Sequence, residues 1–382
     1  MKILYCHVGV QGKNGWGRSF YLACGLAELN HDVYFLTATS KKGLFNKTSQ
    51  FINKVHVLAF ADILPYRLVS TGFGFISVLS KIFFAISNKF DLVITDCGHR
   101  PSSLPGFLAA KRKNTIHITE WWDLFGEGGY YDRKPWYFKY SYGWFEKKLE
   151  IITKKKANGV VVLSEWMRSE AIKHGIEKIK IIHGGCFEKK KPVNNDSNFS
   201  KKINIGYIGM SNSELEFIEP IIDAFKTNKI KDLFNFICFG EYLNIENLNK
   251  NDLNNDFFQE RGWLNYEQSL DEITDINLFL MIRRPDRNAL AGWPNKLGDY
   301  LSFGKPVLIN IYGDISTFVK NNPEGFIVTE FNGDSLVNCL FRIFNGDFDL
   351  SEMGKKNFEL SKKLTWKDKA LELVDFYNQL QQ

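Results

Sequence analysis

Short, almost continuously apolar segments recur along the chain, and segments with helical periodicity separate them. In the first half these apolar segments are KILYCHV, DVYFLTA, VHVLAF, DLVITD, TIHITE and GVVVLS. Each is followed by polar or glycine residues. Strands without a polar face are typical of parallel sheets that helices cover on both sides. The pattern therefore predicts a doubly wound α/β fold.

This alternation stops at a polar stretch, EKKKPVNNDSNFSKK, and starts afresh with INIGYIG, LFNFICFG, INLFLMI and KPVLINI. A polar, proline-containing stretch without periodicity is typical of an interdomain linker. A chain of 382 residues is also long enough for two domains. We predict a Rossmann-like domain over residues 1–188, a linker over 189–202 and a second Rossmann-like domain over 203–363. A last helix within 364–382 is expected to pack back on the first domain.

The cysteines and the apolar segments bear on the cellular compartment. The six cysteines are scattered, which argues for a reducing compartment and against a structural zinc. The N-terminus lacks the apolar region and cleavage site of a secretory signal, so we expect a cytoplasmic protein. The longest apolar stretch, Leu68 to Ser87, is long enough to span a bilayer. Lys81 interrupts it and a strand pattern follows, so we predict a helix of the α/β layer.

The net charge of +6 is unevenly distributed. Between Lys134 and Lys156 there are seven lysines and two acidic residues, interleaved with aromatic residues. Such a surface suits the anionic inner face of a membrane, where rings lie at the headgroups and lysines meet phosphates. The alternative is a solvated helix face whose aromatics lie in the core or line an acceptor groove. Without a motif that reads DNA or RNA, we expect no nucleic-acid partner.

The segment from Arg283 to Val307, RRPDRNALAGWPNKLGDYLSFGKPV, contains the strongest candidate binding site. It predicts a loop with three arginines and then a helix that ends before Gly304. Asn295 and Lys296 would lie in the first helical turn, where free backbone N–H groups favour phosphate. Asp299, one turn further, can accept hydrogen bonds from the two hydroxyls of a ribose. The alternative is an ordinary capped helix with solvated charges.

A second candidate is TIHITEWWDLFGEGGYYD, in which Glu120 and Asp123 follow a strand beside two tryptophans. Side chains at the carboxyl ends of strands in an open α/β sheet point into the ligand crevice. Either carboxylate can therefore orient or deprotonate an acceptor hydroxyl, and we predict both as catalytic. The alternative for Asp123 is that it caps the following turn.

Two further segments are candidates for binding acceptor or phosphate groups. In GKNGWGRS, Gly15 and Gly17 permit close backbone approach and Arg18 adds positive charge near a helix start. The alternative is a plain connection between strand and helix. His99, in TDCGHRP, follows another strand on the same crevice side and can bind phosphate or hydroxyls, although a single loop histidine is more often structural.

The segment GWPNKLGDYLSFGKPVL resembles the signature of retaining GT-B glycosyltransferases of the family-4 type, also called group 1. The opening strand, glycine loop and helix, the segment FFQERGWLNYEQSLDEITDINLFLM and the last helix LTWKDKALELVDFY are similar to that family in the same order. The resemblance implies two Rossmann-like domains facing a cleft. It also implies transfer of a sugar from a UDP- or GDP-sugar to a glycan or lipid-linked acceptor, with retention, in surface polysaccharide assembly. No cofactor and no metal are expected.

The resemblance can be carried onto individual residues. In the family, two glutamates eight positions apart contact the donor sugar and the ribose. The second corresponds to Asp299, whereas the first falls on Ala291. The family's arginine and lysine after the first strand of the second domain are absent from GYIGMSNSELEFIEP. We therefore expect the donor to be bound by Gly209, Ser211, Arg283, Arg287, Asn295, Lys296 and Asp299.

Two other functions remain open at this point. A sugar-nucleotide epimerase can use the same architecture, with acid and base groups around the sugar. A non-catalytic binding subunit on a GT-B scaffold is the other alternative, and Ala291 together with the missing arginine–lysine pair motivates it.

Overall fold

The computed structural model describes residues 1–10, 17–63, 74–189, 191–192, 202–209, 230–240, 258–262, 264 and 272–382. Most of the predicted linker and Ser211 and Gly15 lie outside these residues. The chain divides into two compact units. The first comprises Met1–Gly185, Asp286–Trp293 and Trp366–Gln382, and the second comprises Cys186–Pro285 and Pro294–Thr365. Each contains a mostly parallel sheet, which confirms the prediction of two Rossmann-like α/β units.

An eight-stranded sheet forms the centre of the first unit, in the order β3-β4-β2-β1-β5-β6-β7-β8. The strands are β1 (Lys2–Val10), β2 (Asp32–Lys42), β3 (Lys47–Ile52), β4 (Val55–Asp62), β5 (Leu92–Thr95), β6 (Ile116–Trp121), β7 (Gly159–Val162) and β8 (Ile179–Ile181). All residues of β5 and β7 are buried. This burial on both faces explains why these segments are apolar without alternation.

The edge strand β3 departs from the predicted parallel sheet, because it pairs antiparallel with β4. Its sequence, KTSQFI, is largely exposed and has no apolar face. An edge strand of this kind is held by backbone hydrogen bonds to one neighbour, and sequence periodicity does not reveal it.

Helices cover this sheet: α1 (Gly17–Glu28), α2 (Phe75–Ser87), α3 (Arg100–Ala109), α4 (Trp136–Tyr140), α5 (Tyr142–Lys156), α6 (Glu165–Lys173) and the short α7 (Arg287–Ala291). The helix predicted within Leu68 to Ser87 is α2, although residues 64–73 lie outside the described part. Lys81 of α2 is fully buried and its Nζ donates to the carbonyl oxygen of His7 at 2.9 Å. Of the helices described, none has the length and apolarity that a membrane span requires.

The second unit contains a six-stranded parallel sheet in the order β11-β10-β9-β12-β13-β14. Its strands are β9 (Ile203–Ile208), β10 (Phe234–Phe239), β11 (Phe258–Glu260), β12 (Leu278–Met281), β13 (Val307–Asn310) and β14 (Phe326–Thr329). Its described helices are α8 (Asn295–Ser302), α9 (Gly313–Asn321), α10 (Gly333–Phe344) and α11 (Leu350–Ser361). Apolar side chains of β9, β10 and β12 pack against α10 in one continuous core.

Helix α8 ends where the sequence pattern predicts. Gly304 follows the last residues of the helix with φ of +68°, a left-handed conformation that glycine adopts without strain. Space is also restricted there, because a Cβ atom on Gly304 would lie 2.8 Å from the Cβ of Pro192.

The last helix, α12 (Trp366–Gln381), belongs to the first unit and packs on α1. The contact is close at Gly25, where a Cβ atom would lie 2.4 Å from the carbonyl oxygen of Trp366. The Trp366 ring also lies beside Tyr21, with ring centroids 5.6 Å apart. Leu373 is buried, whereas Leu371 is exposed.

Candidate functional site

The strand order of the first unit identifies a ligand-binding edge. Strand β1 lies between β2 and β5, so β2 to β4 extend the sheet on one side of β1 and β5 to β8 extend it on the other. In open α/β sheets, ligands bind at the carboxyl ends of strands where the order reverses. His7, near the end of β1, and Asp96, directly after β5, meet at this position.

Asp96 is fully buried, and its carboxylate contacts several donors. It accepts hydrogen bonds from the backbone N–H of Val8 at 3.1 Å and from the Ser19 hydroxyl at 3.0 Å, and Nδ1 of His7 contacts its Oδ2. Burial acts to raise the pKa of Asp96, but His7 and the hydroxyl hydrogen bonds outweigh it and lower the pKa. The contact with an ionised Asp96 favours a proton on Nδ1 of His7, and in the neutral imidazole this tautomer has Nε2 as a hydrogen-bond acceptor.

A buried ion pair lies near this edge. Glu120, at the end of β6, is fully buried and accepts a hydrogen bond from Nε of Arg18 at 2.8 Å and another from the hydroxyl of Tyr5. Arg18, also buried, donates from Nη1 to the carbonyl oxygen of His183 at 2.9 Å. The catalytic role of Glu120 and the phosphate-binding role of Arg18 stay predictions. Their geometry favours a pair that positions α1 against the sheet. Next to this pair, Gly17 begins α1 in an exposed, left-handed conformation with φ of +59°.

Asp123 is half-buried and lies near the segment that carries α7. A Cβ atom on Gly292 would lie 3.9 Å from Oδ1 of Asp123. In the same segment, the guanidinium of Arg287 lies against Gly128, since a Cβ atom there would be 2.6 Å from Nη1. Arg287, predicted in the donor loop, is therefore placed with the first unit.

Ala291, the position that the sequence resemblance aligns with a glutamate, lies in the same segment. It is fully buried and packs in an apolar cluster that contains Trp121 and Met167. Its carbonyl oxygen accepts a hydrogen bond from the Ser164 hydroxyl at 3.0 Å. The position therefore serves packing in this chain.

His99 is buried among protein groups. Its Nδ1 lies 2.6 Å from the hydroxyl of Tyr131, and its ring meets Phe125 edge to face at 4.4 Å. A proposed role in binding acceptor phosphate stays a prediction.

The second unit has the same kind of edge. Strand β9 lies between β10 and β12, so the strand order reverses at its carboxyl end. There the backbone N–H of Gly209 donates to the carbonyl oxygen of Phe239 at 3.0 Å. After β12, the backbone N–H of Arg283 donates to Oδ1 of Asn310 at the end of β13, and Nδ2 of Asn310 donates to the carbonyl oxygen of Arg283, each at 2.7 Å.

The first turn of α8 is connected to the end of β9. Lys296 Nζ donates to the hydroxyl of Tyr207 at 3.0 Å and lies 4.3 Å from its ring centre. One turn further, the hydroxyl of Tyr300 accepts from the backbone N–H of Ile208 at 3.0 Å. Lys296 is half-buried, Asn295 is exposed and Asp299 is largely buried. The helix start therefore faces the strand end that the topology marks as a binding edge.

Sequence reasoning missed His7 and Tyr207, which lie in the predicted strands themselves. Their position in the sequence could have identified them, because each lies near the end of the first strand of its unit, where the strand order of the sheet reverses. Within the described ranges, no three His, Cys, Asp or Glu side chains are grouped so that they could hold a metal ion.

Comparisons with known proteins agree with this fold. Residues 18–186 match the family model Glycosyltransferase Family 4. Sucrose-phosphate synthase from Thermosynechococcus elongatus has a similar structure, with a TM-score of 0.73, 16% identity, and coverage of 100% of this chain and 99% of that chain. HepE of Anabaena in complex with UDP-glucose has a TM-score of 0.66, 13% identity, and coverage of 99% and 100%.

A glycosyltransferase from Rickettsia africae is also similar, with a TM-score of 0.65, 14% identity, and coverage of 100% and 98%. At these identities the likeness shows the fold, which is GT-B. The search of curated proteins found no match. The matched domain and the fold together indicate a glycosyltransferase.

Proposed function

We propose that this chain transfers a sugar from a nucleotide-diphosphate donor to a glycan or lipid-linked acceptor, with retention of configuration, in surface polysaccharide assembly. The observation that carries the proposal is the position of Lys296, in the first turn of α8 and bonded to Tyr207 at the reversal point of the sheet. Departure of a nucleoside diphosphate develops negative charge, which a lysine and free helix N–H groups stabilise.

The other predicted donor residues fit complementary roles. The backbone of Arg283 is held at the same strand ends, so its side chain can supply a second positive charge there, and Asp299 can accept hydrogen bonds from the ribose hydroxyls. Because HepE was crystallised with UDP-glucose, we propose UDP-sugars as the first donors to test. No metal or other cofactor is part of this proposal.

In the first unit we propose that His7 contacts the acceptor. In the neutral imidazole, the contact of Nδ1 with Asp96 favours the tautomer in which Nε2 carries an acceptor lone pair. A substrate hydroxyl that donates to Nε2 would be oriented and made more nucleophilic. Asp96 is then a positioning residue that fixes the tautomer.

Nucleotide release from a panel of donors tests the proposed function. The purified chain is incubated with UDP-glucose, UDP-galactose, UDP-N-acetylglucosamine and GDP-mannose, each together with a panel of glycan and lipid-linked acceptors, and the free nucleotide and the glycosylated products are measured by NMR. We expect one donor to release its nucleotide and the sugar product to keep the anomeric configuration.

Other outcomes of this experiment contradict parts of the proposal. An epimerised donor would support the epimerase alternative. Nucleotide binding without turnover of any donor would support a non-catalytic subunit, which the buried Ala291 favours. A product of inverted configuration would contradict retention only.

We also propose that the face formed by α4 and α5 docks on an anionic membrane at its inner surface. The two helices carry most of the lysine-rich segment, and four of their aromatic side chains are exposed rather than in the core. The exposed fractions are 74% for Trp136, 63% for Tyr137, 74% for Tyr140 and 53% for Trp144. Rings at the headgroup level and lysines near lipid phosphates would each contribute to binding.

Sedimentation with vesicles tests this membrane contact. The double variant Trp136→Ala/Tyr140→Ala is expected to bind vesicles of phosphatidylglycerol about tenfold more weakly than the wild type, because it lacks two exposed rings that would lie at the headgroups. Phe51→Ala, which removes another exposed ring of the first unit, is the matched control and is expected to bind normally. Equal binding of all three proteins, or equal binding to neutral phosphatidylcholine vesicles, would contradict the proposal.

A further inference from the structure

A cavity of about 920 Å³ lies within the first unit, next to α5 and the segment that follows β6. This volume is in the range of small-molecule sites. Its lining combines aromatic rings with charges of both signs, including Trp121, Trp144, Lys147, Lys148 and Glu150.

Glu150 supplies a buried acceptor at the wall of the cavity. Its side chain is 2% exposed, and neither carboxylate oxygen meets hydrogen-bond geometry with a donor among the residues that the structure describes, although the indole N–H of Trp121 lies close enough to lower the pKa of the group. The nearest cation, Nζ of Lys154, is 3.8 Å from Oε1, an ion-pair distance. Gly126 allows the carboxylate to lie where it does, because a Cβ atom there would be 2.8 Å from Oε2. Burial raises the pKa of Glu150 despite the opposing effect of Lys154.

Buried carboxylate oxygens are normally hydrogen-bonded, because a buried acceptor without a donor has lost its hydration without compensation. A ligand with hydroxyl groups would supply the donors that the described part of the protein does not. A free anion would be repelled by the same carboxylate.

Positive charge is concentrated elsewhere along the lining. Asp132 is shared by two ammonium groups, that of Lys139 at 3.2 Å and that of Lys147 in direct contact. Burial acts to raise the pKa of Asp132, but the hydrogen bonds from Lys147, from the Gly128 N–H and from Lys139 lower it to about 2, so it is ionised. Lys148 lies 4.0 Å above the centre of the Trp144 ring. One carboxylate against three ammonium groups leaves an excess of positive charge there.

The remaining charges of the lining are partly balanced. Glu170 pairs with Lys173, while Glu127 and Arg287 carry opposite charges. The cavity therefore offers a hydrogen-bond acceptor at Glu150, an aromatic surface, and a cationic region around Lys147 and Lys148. These three features call for a ligand with hydroxyl groups, a ring face and an anionic group.

We infer that this cavity binds a phosphorylated sugar, with a sugar hydroxyl donating to Glu150 and the phosphate beside Lys147 and Lys148. This inference rests on the proposed function, under which the ligand is the acceptor or its phosphate-bearing end. A phosphate that joins a sugar to a lipid and the phosphate of a free sugar phosphate present the same chemistry to the cavity.

Isothermal titration tests the assignment with four probes: glucose 1-phosphate, galactose 1-phosphate, N-acetylglucosamine 1-phosphate and mannose 1-phosphate. At least one is expected to bind the wild-type chain, and its parent sugar without phosphate is expected to bind at least about tenfold more weakly, since the charge-assisted hydrogen bonds are lost. Lys148→Ala and Glu150→Gln are each expected to weaken the phosphorylated probe by about tenfold or more.

Lys178→Ala, which removes an exposed lysine of the first unit outside the cavity lining, is the matched control and is expected to bind like the wild type. Lys148 is exposed, so its variant carries the test even if Glu150→Gln fails to fold. If none of the probes binds, or if Lys148→Ala binds as tightly as the wild type, the inference is wrong.

A second arm distinguishes the two sources of the phosphate. Vesicles of phosphatidylinositol, whose headgroup joins hydroxyls and a phosphate, are added to the complex with the bound probe. Displacement supports a lipid-linked ligand, and retention of the probe supports a soluble one. The titration uses neither donor nor turnover. A chain that binds the probe but releases nucleotide from no donor would contradict the proposed transfer and leave the binding site in place.

Discussion

Replacing Asp96 with asparagine is expected to lower the turnover number by about 10²–10⁴-fold, the range that positioned proton acceptors contribute. The amide has nearly the shape of the carboxylate and can still accept from the N–H of Val8. Its NH₂ group, however, donates towards Nδ1 of His7, which must then become an acceptor. The proton moves to Nε2, and the imidazole loses the lone pair that faces the substrate hydroxyl.

The measurement is the initial rate of nucleotide release with the donor identified in the panel, at saturating acceptor. His7→Gln is expected to lose about as much as Asp96→Asn, and the double variant about as much as either alone, because the two residues act as one unit. Ser19→Ala removes one hydrogen bond to the same carboxylate without changing the tautomer, so it should lose less than about tenfold. Wild-type turnover by a folded Asp96→Asn protein would refute the role of the pair.

Lys296→Ala is expected to weaken binding of the nucleoside diphosphate by about ten- to a hundredfold, the effect of losing a hydrogen bond between charged groups. Turnover should fall further than binding, by about 10²–10³-fold, if Lys296 stabilises the charge that develops on the leaving diphosphate. Titration calorimetry with UDP gives the first value, and nucleotide release gives the second.

Two further variants show whether the effect of Lys296→Ala is specific to its position. Tyr207→Phe keeps the ring under the ammonium group but removes the 3.0 Å hydrogen bond, so a loss smaller than that of Lys296→Ala is expected. Lys320→Ala removes an exposed lysine from α9 of the same unit, and it should bind UDP normally. If Lys296→Ala and Lys320→Ala bind UDP alike, the donor site lies elsewhere.

Sequence patterns predict the strands that are buried on both faces, because such strands have no polar face that could obscure them. Strands β5 and β7 are of this kind. The patterns fail at β3, whose polar sequence forms a strand only because β4 offers it backbone partners.

The candidate sites also divide into features that local sequence patterns predict and features that depend on tertiary contacts. The first turn of α8 is predictable from local signals, namely Pro294 before the helix and Gly304 after it. The contact of His7 with Asp96 joins residues 89 positions apart, and it depends on which strands lie side by side. Residue composition near Glu120 suggests a reactive carboxylate, whereas its pairing with Arg18 is a tertiary contact that no local pattern reveals.

The division of the first unit among three stretches of chain has a consequence for its biosynthesis. The ring of Trp366 packs against Gly185, where a Cβ atom would lie 2.8 Å from Cδ2, and the carbonyl of the same tryptophan closes over Gly25. Domains often fold in order as they leave the ribosome. Here residues 1–185 are synthesised first, but the first unit is complete only when α12, from Trp366 onward, has also been synthesised. The second unit can therefore reach its native state earlier. A nascent chain stalled before Trp366 should expose the apolar side of α1 to chaperones.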